Sequence, residues 1–219
     1  MKDHLNRSSG RNWREAARAA MYDATLTELT GRNGTTEVSF NYRWEHVTTV
    51  VTLALRLAEL TGADAEIIEA AAWLHDVRKF TDGNRHPIAG AAFARDFLPT
   101  TDFPADKIEA VAAAIADHMG LWRDEPLVGL ESQVLWDADK LAKIGLTAVF
   151  HWAGGWLAGD EMRALADLIA RGRDAGWQEK TVASMHTAPA KRAAAARLAA
   201  YRNLYDELER ELTGADLDP

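Results

Sequence analysis

Apolar residues recur at three- and four-residue intervals through most of the chain, a spacing that predicts amphipathic helices. A first helix is predicted from Trp13 to Leu29 and a second from about Arg43 to Thr61, each followed by glycine. The segment between them, 35–42, is predicted to be a loop. A third helix begins near Asp64 and runs into the sequence AAAWLHDVRK at 70–79, so a His-Asp pair stands at its end.

Further helical patterns follow the charged connection that leads up to Pro87. They run from Pro87 to Phe97, from Ala105 to His118, from Glu131 to Phe150, from Glu161 to Arg171 and from Lys191 to Leu212. Gly154 and Gly155 interrupt the pattern, and a linker with Gly172, Gly176 and Pro189 separates the last two helices. The predicted fold class is all-α. It comprises an N-terminal helix with a lead-in loop (1–41), a central core (42–152) and C-terminal helices (153–219) that pack on the core in the same domain.

The pair His75-Asp76 is the first candidate for chemistry. Adjacent helical residues point about 100° apart, so the two side chains converge only on a point beyond the helix end, such as a bound metal ion. An isolated pair of this kind is more often an ordinary helix end. Here His46 lies on the preceding helix and Asp137 lies in an apolar segment of a later one. Buried ionisable groups are costly unless they are paired or bound to metal, which favours a shared cation.

The order His46, then His75-Asp76, then Asp137, each on its own helix, resembles the HD superfamily of metal-dependent phosphohydrolases. The resemblance covers about residues 42–150. It implies an HD-domain helical bundle in which these side chains bind one divalent ion. His86 and His118 resemble the additional histidines of members with two ions, in which Asp76 bridges to a second ion held by these two residues. With a single ion, both would instead bind a substrate phosphate.

The resemblance further implies hydrolysis of a phosphate ester or anhydride, with a nucleotide as the expected substrate, by a hydroxide that the metal generates. A mixed nitrogen and oxygen ligand set suits one or two ions of Mn²⁺, Fe²⁺, Co²⁺ or Ni²⁺. Asp76 is then the catalytic carboxylate. Lys79, Arg85 and Lys140 are expected to contact the substrate phosphate. By location, Lys79, His118 and Lys140 are the candidates for protonating the leaving group.

Differences from known subgroups of the HD superfamily narrow the range of expected substrates. The Gly-Tyr-Pro signature of cyclic dinucleotide diesterases is missing, and the Glu-Asp pair of alarmone hydrolases is replaced by Arg78-Lys79. Lys79, His86 ahead of Gly90-Ala91, and His118 are together more similar to bacterial dinucleoside polyphosphate hydrolases and other small stand-alone HD proteins.

Two other functions stay open. The same ligands would serve an HD-type oxygenase with two irons, which iron content and O₂ consumption would reveal. A module that senses nucleotides without turnover is the second alternative, and tight nucleotide binding without phosphate release would identify it. An intact ligand set argues against a sensor, because a sensor has no need of an activated water.

Composition sets outer limits on function. The chain has 219 residues, a net charge of −8 and no cysteine, so disulfides, thiolate catalysis and Cys-ligated zinc are excluded. An acidic balance argues against binding to nucleic-acid polymers and leaves a small anionic substrate as the expected partner. The N-terminus lacks a signal-peptide core and no run is long enough to span a membrane, so a cytoplasmic protein is expected. The C-terminal helices are expected to cover the bundle or to form a homodimer contact.

Overall fold

The computed structural model describes residues 11–157, 164–174 and 176–217, and the fold of these residues is all-α, as predicted. The helices are α1 (Trp13–Asn33), α2 (Tyr42–Thr61), α3 (Ala65–Leu74), α4 (Lys79–Asp82), α5 (His86–Phe97), α6 (Ile108–Asp117), α7 (Leu130–Leu141), α8 (Leu146–Leu157), α9 (Leu165–Arg173), α10 (Gly176–Ala183) and α11 (Ala188–Thr213). Short 3₁₀ turns lie at Gly83–Arg85, Leu98–Thr100 and Ala105–Lys107. Within the described ranges no β-strand forms, and Arg11 and Thr101 make one isolated bridge.

Side-chain caps and glycines set the ends of the first helices. The side chain of Asn41 accepts a hydrogen bond from the backbone at the start of α2, and Asp64 caps α3 in the same way. Gly34 and Gly62 end α1 and α2 in the left-handed conformation. These are local signals, and the predicted bounds of α2 and α3 agree with the structure within one residue. The exception is the end of α3, which stops at Leu74, so that the His-Asp pair lies just beyond it.

The predicted single helix from Glu131 to Phe150 is wrong, because the chain breaks between α7 and α8. Gly145 lies at the break with a φ of +74°, which a helix cannot contain. The break predicted at Gly154 and Gly155 does not occur, since α8 continues through both residues. Apolar periodicity continues across Gly145, so the pattern alone could not show the change of direction.

The C-terminal part contains one helix more than the pattern predicts. Helix α10 occupies part of the predicted linker, and Pro189 lies in the first turn of α11, where a proline is tolerated. The predicted helix start at Glu161 lies outside the described residues, and α9 follows from Leu165.

Helices α2, α3, α6 and α7 form the centre of the molecule. Helix α2 packs against α3 and α7, and α6 packs against α3, α5 and α7. Their shared core includes Val50, Leu74, Ile115 and Leu135, all fully buried. Helix α1 covers α3, and α11 packs on α7 and α2. Among the described helices, none is both long and apolar enough to cross a membrane.

Substituting Gly145 by alanine is expected to cost more stability than the same change at Gly34. Both glycines have positive φ, so alanine is strained by about 1 kcal/mol at either position. Only at Gly145 would the new Cβ also meet a neighbour, 2.7 Å from Cβ of Arg197 on α11, whereas Gly34 has open space. We expect a loss of about 3 kcal/mol for Gly145→Ala, measured by urea unfolding. Equal losses would show that α11 does not approach this turn.

Candidate metal centre

Five helix termini or terminal turns converge on one buried cluster of histidines and aspartates. Its members are His46 near the start of α2, His75 and Asp76 just after α3, His86 at the start of α5, His118 just after α6 and Asp139 on α7. Each of these residues is at most 3% exposed to solvent. Because unpaired polar groups are costly to bury, such a concentration indicates a functional site.

Local hydrogen bonds fix the orientation of three of the histidine rings. In each of them Nδ1 donates to the backbone carbonyl oxygen three residues earlier. These bonds join His75 to Ala72 (2.8 Å), His86 to Gly83 (2.6 Å) and His118 to Ile115 (2.6 Å). A carbonyl oxygen only accepts, so Nδ1 carries the proton and Nε2 presents its lone pair to the cluster. Metal-binding histidines are oriented by this type of bond.

The carboxylate of Asp76 lies between two pairs of histidines. Its Oδ1 is 3.3 Å from Nε2 of His86 and 3.6 Å from Nε2 of His118. Its Oδ2 is 3.7 Å from Nε2 of His75 and 3.9 Å from Nε2 of His46. The two oxygens therefore face different histidine pairs, which is the arrangement of a carboxylate able to bridge two cations. Ligand atoms close enough to hold a metal occur in both groups, His46–His75–Asp76 and Asp76–His86–His118.

The histidine nitrogens of the cluster show whether metal ions would fit there, because a lone pair without a donor needs a cation. Nε2 of His86 and Nε2 of His118 are 3.1 Å apart. Since both rings have donated their Nδ1–H, these nitrogens need a cation or an extra proton between them. On the other side of Asp76, Nε2 of His75 and Nδ1 of His46 form no hydrogen bond to any described residue, and Nε2 of His46 faces the carboxylate of Asp139 at 3.1 Å. Several buried nitrogens that lack a hydrogen-bond partner in one place are consistent with a site that binds divalent metal ions.

Burial keeps three of the histidine rings, those of His46, His75 and His118, neutral. It lowers the pKa of His46 and of His118, and it lowers the pKa of His75 to about 3. A neutral imidazole has a free lone pair, which is the form that binds a metal ion.

The two aspartates of the cluster are carboxylates. Burial alone raises the pKa of Asp76, but its polar surroundings, which include the paired guanidinium of Arg43, hold it well below the usual range. Burial also raises the pKa of Asp139, and Lys140 and Lys143 outweigh that effect and hold it well below the usual range. The cluster thus offers anionic oxygens together with neutral nitrogens, a donor set suited to first-row transition metals.

The aspartate that α7 contributes is Asp139, which corrects the prediction of Asp137. Oδ1 of Asp139 is 3.1 Å from Nε2 of His46 and 3.9 Å from Nε2 of His75. The carboxylate of Asp137 instead accepts hydrogen bonds from the backbone N–H of His186 and Thr187, both at 2.8 Å, and from the Thr187 hydroxyl at 2.7 Å. Asp137 therefore anchors the start of α11, two residues away from the cluster on the same helix.

Of the predicted phosphate-binding cations, only Lys79 reaches the cluster with a partly exposed amine. Its Nζ lies 3.4 Å from Nε2 of His86. Lys140 is fully buried, and its Nζ donates to the carbonyl oxygen of His118 at 2.8 Å and pairs with Asp139. Arg85 is exposed and does not line the cavity beside the cluster.

Arg43 and Lys143 are two cations of the site that the sequence analysis missed. Arg43 pairs with Asp76, and Nζ of Lys143 lies 2.6 Å from Oδ1 of Asp139. Helical spacing could have found both residues. Arg43 precedes His46 by three positions and Lys143 follows Asp139 by four, which places each on the same helix face as a member of the cluster.

A cavity of about 910 Å³ opens beside the cluster and extends to the C-terminal helices. Arg43, Lys79 and Lys143 line the part beside the cluster. The part formed by the C-terminal helices is lined by aromatic and charged side chains, among them Trp152, Arg171, Trp177, Tyr201 and Tyr205. The guanidinium of Arg171 lies 4.6 Å from the ring centre of Trp152, and the rings of Tyr201 and Tyr205 are 4.8 Å apart. The cavity has the size of a site for an organic ligand and far exceeds a phosphate ion.

Comparison with known proteins agrees with this geometry. The family model described as HD domain matches residues 43–144. The uncharacterized protein YpgQ of Bacillus subtilis is 31% identical over 140 residues, which are 60% of this chain and 68% of YpgQ. The chain belongs to the HD-domain family. The HD match begins at Arg43 and ends just after Lys143, so α1 and the C-terminal helices lie outside it.

Solved structures share the same HD fold. A crystal structure of YpgQ has a TM-score of 0.64 at 21% identity and covers 92% of this chain and 96% of that chain. A second crystal structure, of YpgQ in complex with ADP, has a TM-score of 0.61 at 21% identity. It covers 93% of this chain and 99% of that chain. A predicted HD superfamily hydrolase from an uncultured Thermotogales bacterium has a TM-score of 0.57 at 22% identity and covers 91% of both chains. The fold is therefore that of HD superfamily hydrolases.

Proposed function

We propose that this HD protein is a metal-dependent phosphohydrolase that cleaves a phosphate ester or anhydride of a nucleotide. The observation that carries the proposal is the convergence of four histidine Nε2 atoms on the two oxygens of Asp76. His46, His75, Asp76 and Asp139 would hold one ion, and Asp76, His86 and His118 would hold a second. Such ions polarise a phosphoryl oxygen and lower the pKa of a bound water.

The cationic side chains beside the cluster have the position to bind phosphate oxygens. Arg43, Lys79 and Lys143 line the cavity around the carboxylates. Guanidinium and ammonium groups offset the negative charge of a phosphoryl group and hold it in place. Arg43 and Lys143 take the role that the sequence analysis assigned to Arg85.

Lys79 is the proposed proton donor to the leaving group. Its amine is only half-buried, and burial lowers its pKa, which makes proton release easier. His118 is less suited to this role, because its Nδ1 proton is bonded to Ile115 and its Nε2 faces Asp76. The amine of Lys140 is bonded within the protein to a carbonyl and a carboxylate.

The expectation of a nucleotide is supported by the part of the cavity that the C-terminal helices form. Trp177, Tyr201 and Tyr205 offer aromatic surface there, and Arg171 adds a positive charge. Aromatic rings and guanidinium groups stack on flat bases. The relative YpgQ has been crystallised in complex with ADP, which supports a nucleotide as the ligand of this fold.

The proposal is tested by activity against nucleotides with defined metal. The protein is stripped with a chelator, reloaded with Mn²⁺, Fe²⁺, Co²⁺ or Ni²⁺, and incubated with nucleoside mono-, di- and triphosphates and dinucleoside polyphosphates. We expect release of phosphate or pyrophosphate only from the reloaded protein, with about two metal equivalents bound. Oxygen consumption without phosphate release would favour the oxygenase, and nucleotide binding without turnover would favour a sensor.

A further inference from the structure

Glu28 on α1 contacts the metal centre through Arg43. Nε of Arg43 donates to Oε2 of Glu28 at 2.9 Å, and Nη1 of the same guanidinium donates to Oδ2 of Asp76. The side chains of Arg43 and Glu28 are each only 11% exposed. A chain of charge-assisted hydrogen bonds therefore runs from the first helix to the carboxylate at the middle of the cluster.

Two carboxylates fix the guanidinium more firmly than one would. The group is planar, and its donors point along set directions, so bonds from Nε and Nη1 to different acceptors define the orientation of the plane. With Asp76 as its sole partner, Arg43 would be free to rotate about that contact. Its full charge would also act on the Oδ2 atom that faces His46 and His75. Glu28 restrains the rotation and offsets part of the charge.

The position of Glu28 makes this role separate from the HD motif. It lies on α1, outside the family match that begins at Arg43. Its second ion pair, with Nε of Arg32 at 2.9 Å, is on the solvent side, since the Arg32 side chain is 60% exposed. The inner bond to Arg43 and the outer bond to Arg32 can therefore be broken independently.

We propose that Glu28 is a positioning residue that holds Arg43 in the orientation in which it binds the substrate phosphate beside Asp76. This inference rests on the proposed phosphohydrolase function. It makes α1 part of the active site, so that the HD region by itself lacks a determinant of substrate binding.

The kinetic test compares Glu28→Ala with the matched control Arg32→Gln in the metal-loaded protein. We expect Glu28→Ala to raise KM for the nucleotide about tenfold while kcat changes less than about threefold. Metal content should stay at the unmodified level. Arg32→Gln should change neither constant. Should Glu28→Ala fail to fold, Glu28→Gln keeps the acceptor oxygen without the charge, and about a threefold rise in KM is expected.

A double-mutant comparison of Glu28 and Arg43 shows whether Glu28 acts through Arg43. In an Arg43→Lys background, adding Glu28→Ala should have no further effect on KM, because Lys cannot bond both carboxylates with a planar fork. Additive effects of the two substitutions would overturn the inference. So would an equal rise in KM in Arg32→Gln, which would indicate a general loss of structure.

A spectroscopic readout separates this inference from the proposed function. The Nε–H resonance of Arg43 in ¹⁵N-labelled protein is assigned by its loss in Arg43→Lys. It should be protected from exchange with water in the unmodified protein and in Arg32→Gln, and lose that protection in Glu28→Ala. Absence of nucleotide turnover with this pattern intact would reject the proposed function and retain the placement of Arg43. Unchanged protection in Glu28→Ala would reject the positioning role, whatever the activity.

Discussion

Asp76→Ala is expected to remove bound metal and to abolish turnover while the helices persist. Asp76 is the residue common to both groups of potential ligands. Its two oxygens face different histidine pairs, so its loss would weaken both proposed ion sites at once. The side chain makes no contribution to the apolar core, and Arg43 keeps its bond to Glu28. We expect a fall from about two metal equivalents to nearly none and a loss of activity of about a thousandfold or more.

Elemental analysis, nucleotide hydrolysis and circular dichroism on the same samples check this outcome. Asp82→Ala is the matched control, because Asp82 lies on α4, close in sequence, and does not line the cavity. The variant Asp139→Asn should lose only part of the bound metal. Of the four histidines in the cluster, Asp139 faces His46 and His75, so about one equivalent should remain. Full metal content and turnover in Asp76→Ala would show that the cluster is not the active site.

Asp137→Ala is expected to destabilise the protein strongly and to leave its metal content unchanged. Asp137 is fully buried, and its removal leaves the backbone N–H groups of His186 and Thr187 without their acceptor. Each unsatisfied buried donor costs about 1–3 kcal/mol. We therefore expect the free energy of unfolding to fall by about 3 kcal/mol, measured in urea.

Asp139→Ala supplies the contrast on the same helix, two residues away. It should lower metal content and activity, since Asp139 faces the histidine cluster and Asp137 does not. The measurements are metal content after reloading and unfolding in urea for both variants. Loss of metal in Asp137→Ala with retention in Asp139→Ala would restore the sequence-based choice of Asp137 and contradict the geometry of α7.

The helices could be predicted from sequence because their signals are local, and much of the cluster could be predicted because the order of its histidines and aspartate resembles a known family. Caps such as Asn41 and Asp64 and glycines such as Gly34 and Gly62 determine helix ends through bonds within a few residues. The His75-Asp76 pair stands at a helix end for the same reason. The orientation of His75 also depends on a carbonyl only three residues earlier.

The choice between Asp137 and Asp139 could not be made from apolar periodicity. Every residue from Val134 to Ala142 is buried, so α7 has no exposed face that would define its orientation. Both aspartates stand among apolar neighbours, and both find partners far along the chain. Asp137 meets Thr187 and Asp139 meets His46, and those contacts exist only after α2 and α11 have packed on α7.

By itself, the sequence determined an all-α fold and the main helices, because helix periodicity and capping are properties of neighbouring positions. The resemblance to a known family added five of the six residues that the structure gathers in the cluster. Tertiary structure alone decided that Asp139 faces the histidines, that Arg85 stays exposed, and that Glu28 reaches Arg43. It also brought the aromatic residues of α10 and α11 to the cavity. Each of these depends on packing between helices distant in sequence, where the direction of a side chain is set by its partners and not by its neighbours along the chain.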